Sequence, residues 1–582
     1  MILQALDEYY ERKSGGGELA PEGFELKEIP FVIVLDEKGL LVQIDDARTD
    51  VGKNKRARSY LVPQSVKKTS GVAANLLWDT AEYVLGIDIR GKPQRVAKQH
   101  AAFLARLDEL RSVWDDSGIG AVRHYLERID VGRLEKEPVW PEIRDNNPVL
   151  SFRLSSDGGD MLVCQRPAVV KALQVLPQDG GHEGFCLVRG ELDCLARLHP
   201  SIKGVWGAQS SGANIVSFNL DAFNSYGKDQ GANAPIGERA AFTYTTALNH
   251  LLRKGSAQRL QVGDASTVFW AAEKSNFESD FAALFGAREK DDPDRGARAV
   301  ANLYASIHNG VYTPDDGAAR FYVLGLAPNA ARVAVRFWQV APVKQFAQNI
   351  AQHFRDIGID KPPYESGYLS LFRLLNSVAL QNKSENVPPD LAGDTMRAIL
   401  SGLPYPAVLL QAAVRRIRAE QDVGYLRAAI LKGCLNRLIR HRQFYARELA
   451  MSLDKSNMDS AYRLGRLFAT LERIQGAAQP GINATIRDRY YGAASSSPAS
   501  VFPVLLKLKN HHLSKLESPA LAGWFEKVLG EVFDGLAGFP SRLSLPEQGQ
   551  FAIGYYHQQQ DFFKGKPKVA SEPSISERKG EQ

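Results

Sequence analysis

Between Arg48 and Lys68 the chain carries Arg48, Lys53, Lys55, Arg56, Arg58, Lys67 and Lys68 against a single acid, Asp50. That excess equals the formal net charge of the whole 582-residue chain, +6. Clustered Lys and Arg neutralise phosphates. Gly52 to Arg58 has no apolar periodicity and reads as a basic loop, after which Tyr60-Leu-Val-Pro63 returns to the core. Thr69-Ser70-Gly71 adds two hydroxyls ahead of Ala73, Leu76 and Leu77 on a predicted helix, and a helix start favours anions. Lys53, Asn54, Lys55, Arg56 and Arg58 are therefore candidates for phosphate or base-edge contact. Lys67 and Lys68 would grip the backbone while Thr69, Ser70 or Asn75 reads an edge. The plainer alternatives are a solvated surface loop, and Thr69 or Ser70 as a helix N-cap.

A second candidate is Gln209-Ser210-Ser211-Gly-Ala-Asn214 with Asn219, Asn224, Ser225, Tyr226 and Lys228. Amide side chains present donor and acceptor together, which suits base edges and ribose. Glycines at 204, 207, 212, 227 and 231 let backbone approach a ligand. The alternative is a long loop stitched by its own Asx turns. A third candidate is a basic helical region carrying Arg415, Arg416, Arg418, Arg427, Lys432, Arg437, Arg440 and Arg442. From Ala407 to Ala450 there are nine Lys/Arg against three Asp/Glu. Such a face suits a groove that tracks a displaced single strand or a heteroduplex, although Arg-rich exposed helix faces are also common.

Enzyme motifs are weak. Ser65-Val-Lys-Lys68 and Ser225-Tyr-Gly-Lys228 fit S-x-x-K but lack the accompanying S-D-N and K-T-G. There is no phosphate-binding G-x-x-x-x-G-K-[ST]. His511-His512 are neighbours that cannot face one metal from a helix, and Asp45-Asp46 and Asp115-Asp116 lack a third ligand at a recognisable spacing. No metal, cofactor or catalytic centre is expected. Cys164, Cys186, Cys194 and Cys434 form no C-x-x-C, which fits a reduced, cytoplasmic setting. The opening M-I-L-Q-A-L-D-E-Y-Y has no basic stretch and is not expected to be a signal peptide. No apolar run approaches the ~18 residues that span a bilayer. The pI near 8.9 favours an acidic partner.

The elements that must position these residues indicate an α+β chain. A helix is predicted over Met1–Lys13, a hairpin from Ile29–Leu35 and Leu40–Ile44, and helices over Val96–Ser112 and Ile119–Ile129. Short strands are predicted at Leu150–Leu154, Met161–Cys164, Phe185–Val188, Ile215–Phe218 and Val268–Ala271. A helix is predicted over Ala241–Leu252 and a charged loop at Asp291–Arg298. Phe321–Leu326 and Ala331–Trp338 form a predicted hairpin turning at Ala327–Ala330. Beyond about Val343 strand signals nearly vanish. The expected division is a recognition part over 1–265 with short antiparallel sheets and helices, a mixed part over 266–390, an all-α bundle over 391–563, and a disordered tail from 564 to 582.

Several of these segments carry a family resemblance. They are M-I-L-Q-A-L-D-E-Y-Y at the start, I-P-F-V-I-V-L-D over 29–36, L-V-P-Q over 61–64, T-S-G-V-A-A-N over 69–75 and L-W-D over 77–79. The second block is more specific: K-G-V-W-G-A-Q-S-S-G-A-N over 203–214, V-S-F-N over 216–219, S-Y-G-K over 225–228 and N-A-P over 233–235. Together they resemble the Csd family, the large subunit of the type I-C CRISPR surveillance complex (Cascade). The resemblance implies a non-catalytic subunit near the crRNA 5′ handle, beside the backbone and handle-binding subunits. It would recognise the protospacer-adjacent motif (PAM) on double-stranded DNA and help open the duplex for the R-loop. A separate helicase-nuclease would be recruited afterwards. It also implies a small subunit translated from within the same gene; starts at Met451 and Met458 would leave 132 and 125 residues. The competing classes are a guide-RNA-processing enzyme using Lys53 or Lys68 as acid or base, and a purely structural assembly subunit.

Overall fold

The strand Phe31–Leu35 is apolar and buried at all five positions because neighbours cover both of its faces. The computed structural model describes residues 1–16, 18–51, 54–66, 68, 71–173, 182–218, 220–285, 301–302, 305–310 and 318–564. Of the expected tail at 564–582, Lys564 is placed and pairs with Asp360, and 565–582 lie outside the described residues, as does the charged loop at 291–298. The chain divides into two units, Met1–Ser256 with Pro328–Ala334, and Ala257–Ala327 with Val335–Gln582.

The first unit opens with the helix Ile2–Ser14, followed by strands β1 (Phe24–Ile29), β2 (Phe31–Leu35), β3 (Leu41–Asp46), β4 (Arg48–Val51), β5 (Asn54–Pro63), β6 (Trp78–Thr80) and β7 (Val149–Leu154). One sheet runs β3-β2-β7-β6, with β2 and β7 parallel, and a second runs β1-β5-β4. The β2–β3 hairpin forms where predicted. Asp36 accepts from the amides of Lys38 and Leu40 at the turn. Gly39 there has φ +79°, and a Cβ on it would stand 2.7 Å from the Ala121 carbonyl oxygen, so no larger residue fits. The helices Pro93–Leu107 and Ser117–Glu127 add Phe103 and Tyr125 against Phe152 of β7. Later come β8 (Glu183–Phe185), β9 (Leu192–Cys194) and the helix Glu238–Leu252, which packs on the first helix through Tyr10 and Phe242.

Four local expectations are corrected. Residues from Asn54 to Arg58 are strand, not loop. Apolar alternation is absent because Lys55, Arg56 and Arg58 all stand in water; the strand is held by its backbone ladders to β4 and β1, with Asp50 opposite Lys55 in the β4 register. No helix follows Gly71; residues 71–77 are irregular, so no N-cap is needed there. Met161–Cys164 leads into the 3-10 turn Val163–Gln165 rather than a strand. Ile215–Phe218 forms no strand; only Ala213 and Asn214 make isolated bridges.

The second unit holds β10 (Arg259–Val262), β11 (Ala265–Ala271), β12 (Arg320–Asn329) and β13 (Arg332–Pro342), hydrogen-bonded in that order. The β12–β13 hairpin turns at 330–331, later than predicted, and its tip at 328–334 counts with the first unit. One continuous core runs from Val262 on β10 to Tyr556 in the helix Leu545–Phe563. Helices Ser460–Ala478 and Leu545–Phe563 approach closely at glycines: a Cβ on Gly465 would meet the Phe551 carbonyl at 1.9 Å, and one on Gly554 the Tyr462 carbonyl at 2.0 Å.

The helix Tyr425–Arg440 is surrounded by the helices Val343–Ile357, Leu371–Val378, Ala407–Glu420 and Leu545–Phe563. It is therefore buried around nearly its whole circumference, charges included. Arg437 is 0% exposed. Its Nε donates to the buried Asp356 at 2.7 Å, its Nη1 to the carbonyls of Ala398 and Leu403, and it lies over the Tyr405 ring. Arg440 and Gln352 also donate to Asp356. Burial pushes the Asp356 carboxyl up, but the hydrogen bond from Arg440 and the charge of Arg437 outweigh it and hold the group below the ordinary carboxylate range. Asp356→Ala strands Arg437 in the core and is expected to cost about 3–5 kcal/mol by urea denaturation. The wild-type advantage should be full above the ordinary carboxylate range and fade as pH falls through the depressed Asp356 value. A cost below about 1 kcal/mol would mean the pair is not desolvated.

Candidate nucleic-acid interface

On β1 of the first unit, Glu25 and Lys27 are two residues apart and so share one side of the strand. The loop between β5 and β6 closes over that side and is organised by Asp79, which is 2% exposed. The Asp79 carboxylate accepts from the amides of Asn75 at 2.9 Å and Thr80 at 2.8 Å, and from Lys68 Nζ at 2.8 Å on each oxygen. Asn75 Oδ1 accepts from the Val66 amide, and Trp78 Nε1 donates to the Pro63 carbonyl. Lys68 also stands over the Tyr83 ring at 3.8 Å.

The opposite wall is the segment 198–214 backed by the helix Glu238–Leu252. Asn249 on that helix accepts from the Lys203 amide at 2.7 Å and donates to the Ser201 carbonyl. Asn214 donates to the carbonyls of His199 and Pro200, and Ile202 bridges Ala213. Gly212 has φ +91° and leaves 2.8 Å between a would-be Cβ and the Ile202 carbonyl. Between the walls lies a cleft of about 690 Å³.

Three lysines face this cleft: Lys27, Lys68 and Lys203. Lys68 is neutralised by Asp79, and Lys203 is 3.9 Å from Glu25, which also accepts from the Ser65 hydroxyl. Lys27 makes no hydrogen bond or ion pair to a described residue; its ammonium lies 5.1 Å from the centre of the Trp78 ring. Burial, and then the charge of Lys203, hold the Lys27 amine below the ordinary lysine value, against the pull of Glu25 and Asp79. An ammonium kept from water beside like charge attracts an anion. Ser210, Ser211, Thr245 and Thr246 add hydroxyls around it.

The cleft thus gathers Lys68, Asn75, Ser210, Ser211 and Asn214 from the two expected segments. The Asn75 and Asn214 side chains serve the loops themselves, through long-range bonds to Val66, His199 and Pro200 rather than the local Asx turns expected for the second segment. Gln209 is exposed but does not line the cleft. Asn224 and Lys228 sit in a separate turn closed by Asn224 to Asp229 and by Asn233 to the Lys228 carbonyl. Lys55, Arg56 and Arg58 stand on β5 and pair with Asp46, Glu28 and Asp160, exposed pairs of low worth that phosphate can displace. Asn54 begins β5. Lys53, Lys67, Thr69, Ser70 and Asn219 lie outside the described residues.

The basic helical face needs the largest correction. Arg427, Lys432 and Arg437 are buried, not on a groove. Arg427 pairs with Glu420 and donates to the Ser377 carbonyl, and Lys432 donates to the carbonyls of Arg355 and Asp356. Burial pushes the Lys432 amine down to about 8. Arg440 joins Asp356 and Glu448, and Arg416 joins Glu420. Arg415, Arg418, Arg440 and Arg442 of that set are exposed, Arg440 with its charge already paired. Conversely, sequence reasoning missed Lys27 and Lys203. Lys203 opens the K-G-V-W-G-A-Q-S-S-G-A-N block, and Lys27 lies in the F-E-L-K-E-I of β1; the segments are visible in the sequence, but nothing local brings the two lysines to one cleft.

The model of the family described as CRISPR-associated protein (Cas_Csd1) matches residues 6–563. The chain belongs to that family and is a CRISPR-associated protein of the Cascade type, which works in the context of other Cas subunits. No match is found among curated proteins. Among the described residues, no group of three or more His, Cys, Asp or Glu is placed to hold a metal ion, and no helix is long and apolar enough to cross a membrane.

The strain at Lys27 gives a stability test. Lys27→Met removes the charge while keeping a side chain over Trp78, so the isolated chain should unfold at a higher temperature. The gain should be full at neutral pH and shrink as pH rises toward the ordinary lysine range, where the wild-type amine becomes neutral. A lower midpoint for Lys27→Met at neutral pH would show that Glu25 and Asp79 already satisfy the ammonium.

Proposed function

We propose that the chain is the large subunit of a type I-C Cascade, and that the cleft of the first unit grips target DNA at the PAM. The observation that carries this reading is the meeting of two hydrogen-bonding segments around three lysines, one of them without an ion pair to a described residue. Lysines hold phosphates, and the exposed Ser210 and Ser211 at the rim are the groups left to meet base edges. The β5 row of Lys55, Arg56 and Arg58 would extend the phosphate track. Duplex opening then lets the crRNA pair with the target, so base pairing reads sequence and the protein reads only the short motif.

In this reading the chain is cytoplasmic and not an enzyme; a separate helicase-nuclease cuts after R-loop formation. The small subunit made from the same gene is also part of the proposal. Both Met451 and Met458 precede the helix Ser460–Ala478, so either start would keep the last five helices whole. For the displaced strand, the exposed Arg415 and Arg442 remain candidates.

The test is target binding by the assembled complex, comparing wild type with Lys27→Met/Lys203→Ala on cognate and motif-scrambled duplexes over a salt series. Lys68 is left intact because its loss would uncover Asp79. The expected result is weaker binding of both duplexes, with the salt slope shallower by about one per lysine removed. Adding Ser210→Ala/Ser211→Ala should narrow the preference for the cognate duplex. Unchanged affinity and slope would remove the cleft from DNA binding.

A further inference from the structure

The β8–β9 hairpin of the first unit carries three large apolar side chains in water: Phe185, 68% exposed, with Leu187 and Leu192, each 67% exposed. Phe185 and Leu192 are direct cross-strand partners, so their side chains lie side by side on one face. β8 ends at Phe185, short of the strand predicted to Val188, and the chain turns at 187–189; across this end Cys186 and Val188 are buried while Phe185 and Leu187 are exposed. None of these residues lines the cleft.

The hairpin is held firmly from behind. The Leu187 amide donates to the Pro235 carbonyl, the Leu195 amide to the His182 carbonyl, and Gln4 to the Val188 carbonyl. Arg189 at its turn is clamped by Asp7, at 2.7 Å, and Glu11 of the first helix. A lone two-stranded hairpin is marginal in water, yet this one is pinned so that its apolar face points outward. Contiguous apolar surface on a rigid support marks an interaction site.

The surrounding charge chooses the occupant. Glu183 and Glu191 are exposed beside the apolar face, and the Arg189 behind it is already neutralised. In a chain of net charge +6 this patch is locally acidic. Carboxylates repel phosphate, which disfavours nucleic acid. In a symmetric contact between two copies, each copy would bring the same acidic edge, which disfavours self-association. We propose that the outward face of the β8–β9 hairpin docks another protein subunit, one with an apolar pocket edged by lysine or arginine. Phe185 is the central anchor, as aromatic side chains are at such contacts. This inference rests on the Cascade assembly reading, but not on the DNA role of the cleft.

The test co-expresses the full chain with the remaining Cascade subunits and guide RNA, purifies through a tag on a backbone subunit, and counts copies of the chain by native mass spectrometry during dilution. Phe185→Ser/Leu192→Ser should keep the thermal midpoint of the isolated chain, since both side chains are in water, and should be retained about ten-fold or more weakly. Leu40→Ser, an equally exposed leucine on the β2–β3 turn, is the control and should be retained as wild type. Should the double change perturb the fold, Phe185→Gln alone makes the same comparison. Glu183→Lys/Glu191→Lys should also weaken retention. Wild-type chain in the complex with the apolar variant equally retained overturns the docking site alone. Absence of the wild-type chain itself overturns the assembly reading beneath it. Loss of DNA binding with retention intact would assign the face to nucleic acid and likewise overturn the proposal.

Discussion

The carboxylate of Asp79 is the point on which the cleft depends. A carboxylate that is nearly sealed from water is tolerable only when its oxygens are hydrogen-bonded and its charge is matched. Here two backbone amides and the Lys68 ammonium meet both needs. The consequence is geometric. The described residues 71–77 before β6 belong to no ladder, and Asp79 fixes their course through the Asn75 amide while Trp78 ties β6 to Pro63. That course sets where Lys68 ends and how Trp78 presents a ring face to Lys27. One buried charge on β6 thus fixes the irregular part of the wall that the strands themselves leave unheld.

The second unit uses buried charge differently. Arg437 and Asp356 are both hidden, and between them they tie the helix Tyr425–Arg440 to the helix Val343–Ile357, to the helix Pro389–Ser401 and to the loop that follows it. A buried pair of this kind contributes less to stability than its Coulomb attraction implies, because both ions have lost their water. What it does impose is a unique packing, since any shift of the helix Tyr425–Arg440 would leave a charge without its partner. The cleft of the first unit, by contrast, leaves Lys27 short of acceptors among the described residues. One arrangement consumes its charge in the fold, and the other holds some in reserve for a ligand.

Much of the framework was legible in the sequence because it follows apolar pattern. Phe31–Leu35, Leu150–Leu154, Val268–Ala271 and the helices at both ends of the first unit were readable for that reason. The failures have two physical causes. Between Asn54 and Arg58 the long side chains stand in water, so there is no apolar alternation to detect, and the strand is fixed by backbone ladders to β4 and to β1, whose residues lie some thirty positions earlier. In the helix Tyr425–Arg440, Leu426, Ile430, Cys434 and Leu438 at four-residue spacing mark an apolar stripe, but a helix enclosed on all sides buries its off-stripe residues too. Arg437 and Lys432 then look like a solvated face in sequence and are core in the fold. The site itself was half legible: the two segments were found from composition, while their meeting, and the part played by Lys27 and Lys203, depends on long-range packing that no local pattern encodes.

That meeting also constrains how a short DNA motif would be read. Asn75 and Asn214 are the residue types best suited to base edges, but their amides already hold the cleft walls. Turning either toward a base would leave a backbone amide or carbonyl of the wall without its partner, a cost that offsets the new hydrogen bond to the base. The three lysines supply charge without sequence information. If the cleft takes DNA as proposed, direct reading would fall to the hydroxyls at the rim, which accept and donate and so would discriminate weakly between bases. A site with strong phosphate grip and weak direct readout draws its selectivity from the shape of the groove and from how readily the base steps deform. On these terms the cleft would favour motifs rich in flexible pyrimidine–purine steps, and would tolerate substitutions that keep the step type while changing the base pair.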